Sequence, residues 1–464
     1  MRGTVELARG RFLVLGLGRS GRSISRFLLR AGAKVWGWDE SRAVRMSDEV
    51  AKLKQQGLVL VRQPDTVSPD WAIVSPGIPD VHPVVPSLLR QGTRVADELD
   101  FSSRFIAGPI VAVTGTNGKS TTTTLIARML VASGKKVFWG GNLVPGRPLS
   151  QALGRAARDY YVVEVSSFQL ERARWLKPKV AVVLNITPDH LDRHGTMAAY
   201  AESKLRILDR QTRDDYAVLN RDNELVWQAR TRGRGRKWFF SIRDQADGAC
   251  LVDGDIWCLG RRVMSKTQLA LPGEHNVENA LAACLAAGLL GVGPRPMRQV
   301  LARFHGLPHR MERVAVVDRV VFVNNSMSTN PAAAARSLAA AAQQGPVVLI
   351  AGGREKKLPV DDYLAAIERY AKWVVLIGEN RHRLARALKQ RGCVCWVKAP
   401  DLATAVRIAQ KKAVAGDTVL FSPGFASFDQ FTDFQARGEA FRTAVRELRC
   451  SRRGTGRAKS SAGS

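Results

Sequence analysis

The run Thr114-Gly115-Thr116-Asn117-Gly118-Lys119-Ser120-Thr121 stands between an apolar stretch and a segment of helical character. A loop in that place offers phosphate oxygens its backbone N–H groups and the positive end of the following helix. Lys119 is suited to the β- and γ-phosphates, and the Ser120 hydroxyl to Mg²⁺. The spacing departs from the general G-x-x-x-x-G-K-[ST] pattern, because Val113 holds the position of its first glycine. A plain glycine turn with a surface lysine would not need the strand before it and the helix after it.

Other chemistry-bearing residues fall at the ends of apolar runs. Gly16-Leu17-Gly18-Arg19-Ser20-Gly21 follows one such run, and Asp39 ends the next, a pattern that seats a nucleotide and on its own would equally suit an NAD enzyme. Glu164, Ser166 and Gln169 follow another run, as does Asn185-Ile186-Thr187-Pro188-Asp189-His190. In an open α/β sheet that edge is where ligands bind. Glu164 offers Mg²⁺ a hard carboxylate; His190 offers a second metal an imidazole, although Mg²⁺ prefers oxygen. Taken singly, each of these is an ordinary loop residue, Lys204 an exposed helix lysine, and Asn276 and Asn279 a polar helix start.

Together the motifs carry more. The form T-G-T-N-G-K-S-T is found in the Mur ligase superfamily, which the chain resembles from about Phe12 to Leu448. The resemblance implies an ATP site built from Gly115, Thr116, Asn117, Gly118, Lys119, Ser120 and Thr121. The segment Gly273–Ala280 adds Asn276 and Asn279 to that site, and Leu307-Pro308-His309-Arg310 adds Arg310. It further implies catalytic roles for Lys119, Glu164, His190 and Lys204, with Lys204 carbamylated so that it joins Ser120, Glu164 and His190 in holding two Mg²⁺. Gly18, Ser20, Asp39, Ser75 and Gly77 would bind the UDP part of the substrate, and Asn142, Ser166 and Gln169 its muramoyl-alanine part.

The last third resembles the branch of the superfamily that adds glutamate. Ser422-Pro423-Gly424-Phe425-Ala426-Ser427-Phe428-Asp429-Gln430-Phe431, followed by Phe434, Arg437-Gly438 and Phe441, is close to its S-P-x-x-A-S-x-D-x-F-x-x-F-x-x-R-G-x-x-F signature. The resemblance implies that Thr329, Lys356, Ser427 and Phe434 receive the amino acid. One segment departs: where many D-glutamate ligases read N-D-S-K-x-T-N, this chain reads Asn324-Asn325-Ser326-Met327-Ser328-Thr329-Asn330. The contacts of the missing acid and lysine do not carry over, which leaves D-glutamate, L-glutamate and a close relative open as the amine.

The elements that position these residues read as α/β throughout. Residues 11–39 give strand, glycine turn, helix and strand; further strands are expected at Trp71–Val74, Ile110–Thr114, Tyr160–Val165 and Val180–Asn185. The pattern restarts after Arg310, near Val314–Val323, Val347–Ala351, Trp373–Ile377 and Thr418–Ser422, with Ala-rich helices between. The expected architecture is α/β in three domains: a Rossmann-like UDP-substrate domain over 1–100, a central P-loop ATPase-type domain with a mostly parallel sheet over 101–306, and a Rossmann-like amino-acid-binding domain over 307–450. Ala96–Ala107 reads as a linker, and 451–464 as a disordered basic tail.

With 464 residues, 45% hydrophobic and 24% charged, the chain is long enough for several cores and ordinary in composition. Its +30 charge suits an anionic partner, but is spread along the chain with no nucleic-acid module, so no specific nucleic acid is expected. The six cysteines form no C-x-x-C, no signal peptide fits before Phe12, and no apolar run reaches the roughly 18 residues of a membrane span. A cytoplasmic monomer is the expectation.

The implied reaction is ATP-dependent ligation of D-glutamate to UDP-N-acetylmuramoyl-L-alanine in peptidoglycan precursor synthesis. The alanyl carboxylate is first phosphorylated, and the amine then displaces phosphate from the acyl phosphate. Hinges at Ala96–Ala107 and Gly306–Arg310 would permit closure over that intermediate. The alternatives are a sibling Mur-type ligase or a variant using L-glutamate or another amino acid; an oxidoreductase built on Gly16–Gly21 leaves Lys119, Lys204 and the C-terminal signature without a role.

Overall fold

Runs such as Ile110–Thr114 and Val180–Val183 are buried along their whole length, and so read as continuous apolar stretches instead of alternating ones. A computed structural model of the chain describes residues 7–143, 146–271, 273–355 and 359–457. It divides into two compact units, Met1–Phe304 and His305–Ser464.

The first unit holds two sheets. β1 (Arg11–Leu15), β2 (Lys34–Trp38), β3 (Val59–Leu60), β4 (Trp71–Val74) and β5 (Arg94–Asp97) form a parallel sheet in the order β3-β2-β1-β4-β5. The winding reverses between β1 and β4, and the crevice at such a switch point is where ligands bind. The loops at Gly16–Gly18 and Ser75–Gly77 leave from there, and α1 (Arg19–Arg30) begins directly after the first. Ala96–Ala107 is no linker: it finishes β5 and forms α2 (Glu98–Ser103), with Ala96, Asp97, Leu99 and Phe101 all buried. Its acids Asp97, Glu98 and Asp100 each accept a backbone N–H inside the fold, although Asp97 Oδ2 is buried without a partner.

The second sheet follows the order β14-β13-β12-β11-β10-β9-β6-β8-β7. Its parallel part is β6 (Ile110–Thr114), β7 (Val137–Gly141), β8 (Tyr160–Glu164), β9 (Val180–Val183), β10 (Tyr216–Asn220) and β11 (Arg236–Ser241). β12 (Gly248–Val252) pairs parallel to β11, and β13 (Asp255–Cys258) and β14 (Arg261–Ser265) then run back and forth antiparallel. This meander was not read from the sequence, where its short, half-polar runs lack the buried-strand signature. α3 (Lys119–Ala132), α4 (Ser167–Glu171), α5 (Leu191–His194), α6 (Met197–Leu205) and α7 (Glu274–Gly288) carry the polar motifs.

In the second unit the order is β15-β16-β20-β17-β18-β19. β15 (Glu312–Val317) and β16 (Val320–Asn324) form an antiparallel hairpin turning at Asp318 and Arg319, both at positive φ. β17 (Val347–Gly352), β18 (Ala371–Ile377), β19 (Trp396–Lys398) and β20 (Thr418–Phe421) pair parallel, with separate apolar clusters on the two faces. The last helix, α8, runs Phe434–Arg457, so the expected disordered tail is helical as far as Arg457; 458–464 lie outside the described residues. Among the described residues no helix is long and apolar enough to cross a membrane.

Candidate active site

β6 delivers Thr114 into the phosphate-type loop, and Gly118 at φ 81° turns the chain into α3. That glycine has no substitute: a Cβ there would lie 2.1 Å from Asn279 Oδ1 on α7. Asn279 also accepts from Thr122 Oγ1 at 3.2 Å and donates to Asn276 Oδ1 at 3.4 Å. Of the two asparagines named from the sequence, Asn279 is thus packed against the loop, and Asn276 is bonded to Asn279 behind it.

Ser120 Oγ donates to Glu164 Oε2 at 2.6 Å, and Asn142 Nδ2 to Glu164 Oε1 at 3.1 Å. β6, β8 and β7 end side by side, which is what places these residues together. A hydroxyl and a buried carboxylate are hard oxygen donors and fit Mg²⁺, which completes its shell with water and phosphate oxygens. Among the described residues no group of three or more His, Cys, Asp or Glu forms a metal cage.

Lys119 Nζ donates to Gly115 O at 2.9 Å and Thr116 O at 2.7 Å. Lys204 Nζ reaches the same Gly115 carbonyl at 2.8 Å and lies 4.6 Å from the centre of the Tyr200 ring. Far from an exposed helix lysine, Lys204 is 2% exposed. Burial, aided by the Lys119 charge and opposed by Asp189 and Glu164, pulls its pKa down to about 7. Tyr200 in turn hydrogen-bonds Thr116 Oγ1 at 3.2 Å, a link the sequence did not suggest. His190 caps α5 at φ 53°, with its ring 4.9 Å from that of Phe168 and 6.4 Å from that of Tyr200.

At the switch point of the first sheet, Asp39 Oδ2 accepts from Leu17 N at 2.7 Å and Ser75 Oγ donates to Gly16 O at 3.0 Å. No other atom lies within 4 Å of where a Cβ would sit on Gly18 or Gly77, so both face open space. Ser20 sits in the first turn of α1. Ser166 and Gln169 form a capping box on α4, and Gln169 also reaches Asp97 Oδ1 at 3.5 Å. Arg19, passed over inside the glycine motif, donates to the carbonyls of Gly146 at 2.8 Å and Leu143 at 3.1 Å, joining the first sheet to the loop after β7.

In the second unit Arg437, 1% exposed, gathers the amino-acid segments. Its guanidinium donates to Ser326 Oγ (3.1 Å), Ser326 O (2.9 Å) and Phe425 O (2.9 Å), and Ser326 Oγ donates to Phe434 O (2.8 Å). Burial lowers the Arg437 pKa to about 10. The 324–330 segment and the C-terminal signature therefore form one cluster, with Ser427 buried beside it and Thr329 half-buried. Asn325, standing where an acid was expected, is itself buried: its amide donates to Ser337 Oγ at 2.8 Å and Ser422 Oγ at 3.2 Å. Arg310 is exposed after His309, which has φ 62°. Lys356 lies outside the described residues.

A phosphate loop with paired lysines in one unit, and a buried arginine joining the C-terminal signature in the other, define an ATP-using ligase. Residues 10–97 match the Mur ligase MurD-like N-terminal domain, 113–287 the Mur ligase middle domain, and 309–425 the Mur ligase glutamate ligase domain. The UDP-N-acetylmuramoylalanine–D-glutamate ligase of Pelotomaculum thermopropionicum is 40% identical over 96% of this chain and 99% of its own. That of Streptococcus equi subsp. zooepidemicus is 35% identical over 97% and 99%. The chain belongs to the Mur ligases, in the family of these relatives. Among solved structures, the UDP-N-acetylmuramate-alanine ligase MurC of Thermotoga maritima shares the fold at a TM-score of 0.56 and 19% identity, covering 96% of this chain and 100% of that one.

Proposed function

We propose that the protein joins D-glutamate to UDP-N-acetylmuramoyl-L-alanine at the expense of ATP, as a cytoplasmic monomer in peptidoglycan precursor synthesis. The observation that carries this reading is the convergence of Lys119 and Lys204 on the Gly115 carbonyl, in the loop whose Ser120 hydroxyl is bonded to Glu164 at the end of β8. The Lys119 ammonium and a hard oxygen pair suit a phosphoryl group moving between two anions.

A carboxylate does not condense with an ammonium at neutral pH, so the alanyl carboxylate attacks the γ-phosphorus and ADP departs. Lys119 and the loop amides stabilise the charge on the transferring group, and Mg²⁺, when bound near Ser120 and Glu164, supplies further neutralisation. The neutral amine of glutamate then attacks the acyl carbon; the tetrahedral intermediate expels phosphate, and the nitrogen loses a proton. Thr329, Ser427, Phe434 and Lys356 hold the amino acid. Arg310, Asn276 and Asn279 serve the nucleotide, while Gly18, Ser20, Asp39, Ser75, Gly77, Asn142, Ser166 and Gln169 serve the muramoyl substrate.

Lys204 is read as carbamylated, joining Glu164 and His190 around a second Mg²⁺. A lysine whose pKa is about 7 is substantially neutral at physiological pH, and only the neutral amine adds CO₂. Domains over 1–100, 101–306 and 307–450 divide the labour. The hinge is placed at Gly306–Arg310 alone, since Ala96–Ala107 is packed into the first unit.

The decisive experiment follows oxygen. With ¹⁸O in the alanyl carboxylate, one label per turnover must appear in released phosphate; unlabelled phosphate would refute the acyl phosphate. Asn325 and Met327 favour one second reading, a relaxed or altered choice of amino acid.

A further inference from the structure

Arg193, three residues after His190, meets three residues from two separate parts of the first unit. Its Nη1 donates to the Pro76 carbonyl at 2.8 Å, its Nη2 to Glu171 Oε2 at 2.9 Å, and its guanidinium lies 3.9 Å from the centre of the Phe168 ring. Pro76 belongs to the Ser75–Gly77 loop on the first sheet, whereas Glu171 and Phe168 belong to α4 on the second. Only 15% of the Arg193 side chain is exposed.

Glu171 is shared. Its other oxygen, Oε1, lies 3.2 Å from His194 Nδ1, and His194 Nε2 is 3.1 Å from Ser167 Oγ at the start of α4. Both residues at the end of the short α5 are therefore fastened to α4, and His190, at its start, rests on Phe168. A neighbouring arginine repeats the arrangement: Arg172 donates from Nε to Asp80 at 2.5 Å and from Nη2 to the Ile78 carbonyl at 2.7 Å, and is 6% exposed.

We propose that Arg193, oriented by Glu171, is a positioning residue that couples occupancy of the Ser75–Gly77 loop by the nucleotide-sugar to the placement of His190. The inference rests on the proposed function for the identity of that ligand. An arginine suits the task because its rigid planar fork fixes two acceptors at once, and its face stacks on an aromatic ring. A lysine offers a single mobile point of charge. The turn bearing His190 and the loop facing the nucleotide-sugar thus share one side chain, so order in one favours order in the other.

The test compares Arg193→Ala, Arg193→Lys and Glu171→Gln with wild type. Each is assayed for affinity toward UDP-N-acetylmuramoyl-L-alanine by calorimetry, KM for ATP, Mg²⁺ dependence of turnover, and thermal melting. Arg193→Ala should weaken nucleotide-sugar affinity about tenfold or more, the scale of one lost charge-assisted hydrogen bond. It should also raise the Mg²⁺ required, while leaving KM for ATP within about twofold of wild type. Arg193→Lys and Glu171→Gln should fall between the two, and adding Glu171→Gln to Arg193→Ala should cost little more. A variant that melts like wild type and keeps its nucleotide-sugar affinity overturns the coupling, as does a uniform loss of kcat at unchanged affinity and Mg²⁺ dependence. Wild-type protein that neither binds nor turns over the nucleotide-sugar refutes the functional reading, and the coupling with it.

Discussion

Lys119 and Lys204 donate to the same acceptor, the carbonyl of Gly115, at 2.9 and 2.8 Å. Burial first, and repulsion by the neighbouring Lys119 second, bring the Lys204 pKa down to about 7, while Lys119 holds a half-buried position at the head of α3. Lys119→Ala should lower kcat by about 10²–10³, the usual scale for removing one group that stabilises transition-state charge. A steady-state assay at saturating ATP checks it.

If Lys204 carries a carbamate, removing CO₂ and bicarbonate from the buffer should depress activity, and adding bicarbonate should restore it. The sign with pH follows from its lowered pKa. Below about 7 the amine gains a proton and cannot add CO₂, so bicarbonate activation should fade as the assay is made more acidic. Activity indifferent to bicarbonate at every pH would count against the carbamate.

Ser120 and Glu164 should fail together. Glu164→Gln keeps the side-chain shape and removes the charge, and it should raise the Mg²⁺ needed for half-maximal rate by about tenfold or more. Ser120→Ala should move the same quantity in the same direction. The double variant should cost less than the two single losses combined, because the residues contact each other at 2.6 Å.

The buried carboxyl of Asp97 gives a prediction for stability. Burial, with the neighbouring charge of Glu98, raises its pKa to about 7, against the pull of Leu99 N–H and Arg172. Between its ordinary pKa, about 4, and 7 the folded state holds a proton that the unfolded chain has released. Stability should accordingly fall as pH rises through that window. Asp97→Asn, which preserves the acceptor facing Leu99 N, should flatten the slope in urea denaturation carried out across it.

Much of this site was legible because strand ends are legible: an unbroken apolar run that stops at Thr114 or Glu164 announces a buried parallel strand and a polar edge beside it. Lys204, Asn276 and Asn279 were named only through the resemblance, since neither helix spacing nor residue type separates a buried lysine from a solvated one. Arg193 and Glu171 carried no signal at all, and Arg437 stood in the C-terminal signature with no role attached. Their work depends on which loops lie opposite them, and that is fixed by strand order. Ala96–Ala107 misled for the opposite reason, its acids being capped by backbone N–H groups inside the fold.

The central claim is best tested by the amino acid itself. Phosphate release and product formation should be measured with ATP, Mg²⁺ and UDP-N-acetylmuramoyl-L-alanine, supplying D-glutamate, L-glutamate or no amino acid. The account predicts turnover and a new amide with D-glutamate, and little above background otherwise. Turnover with L-glutamate alone, or with no glutamate of either hand by folded, bicarbonate-supplied protein, would contradict it.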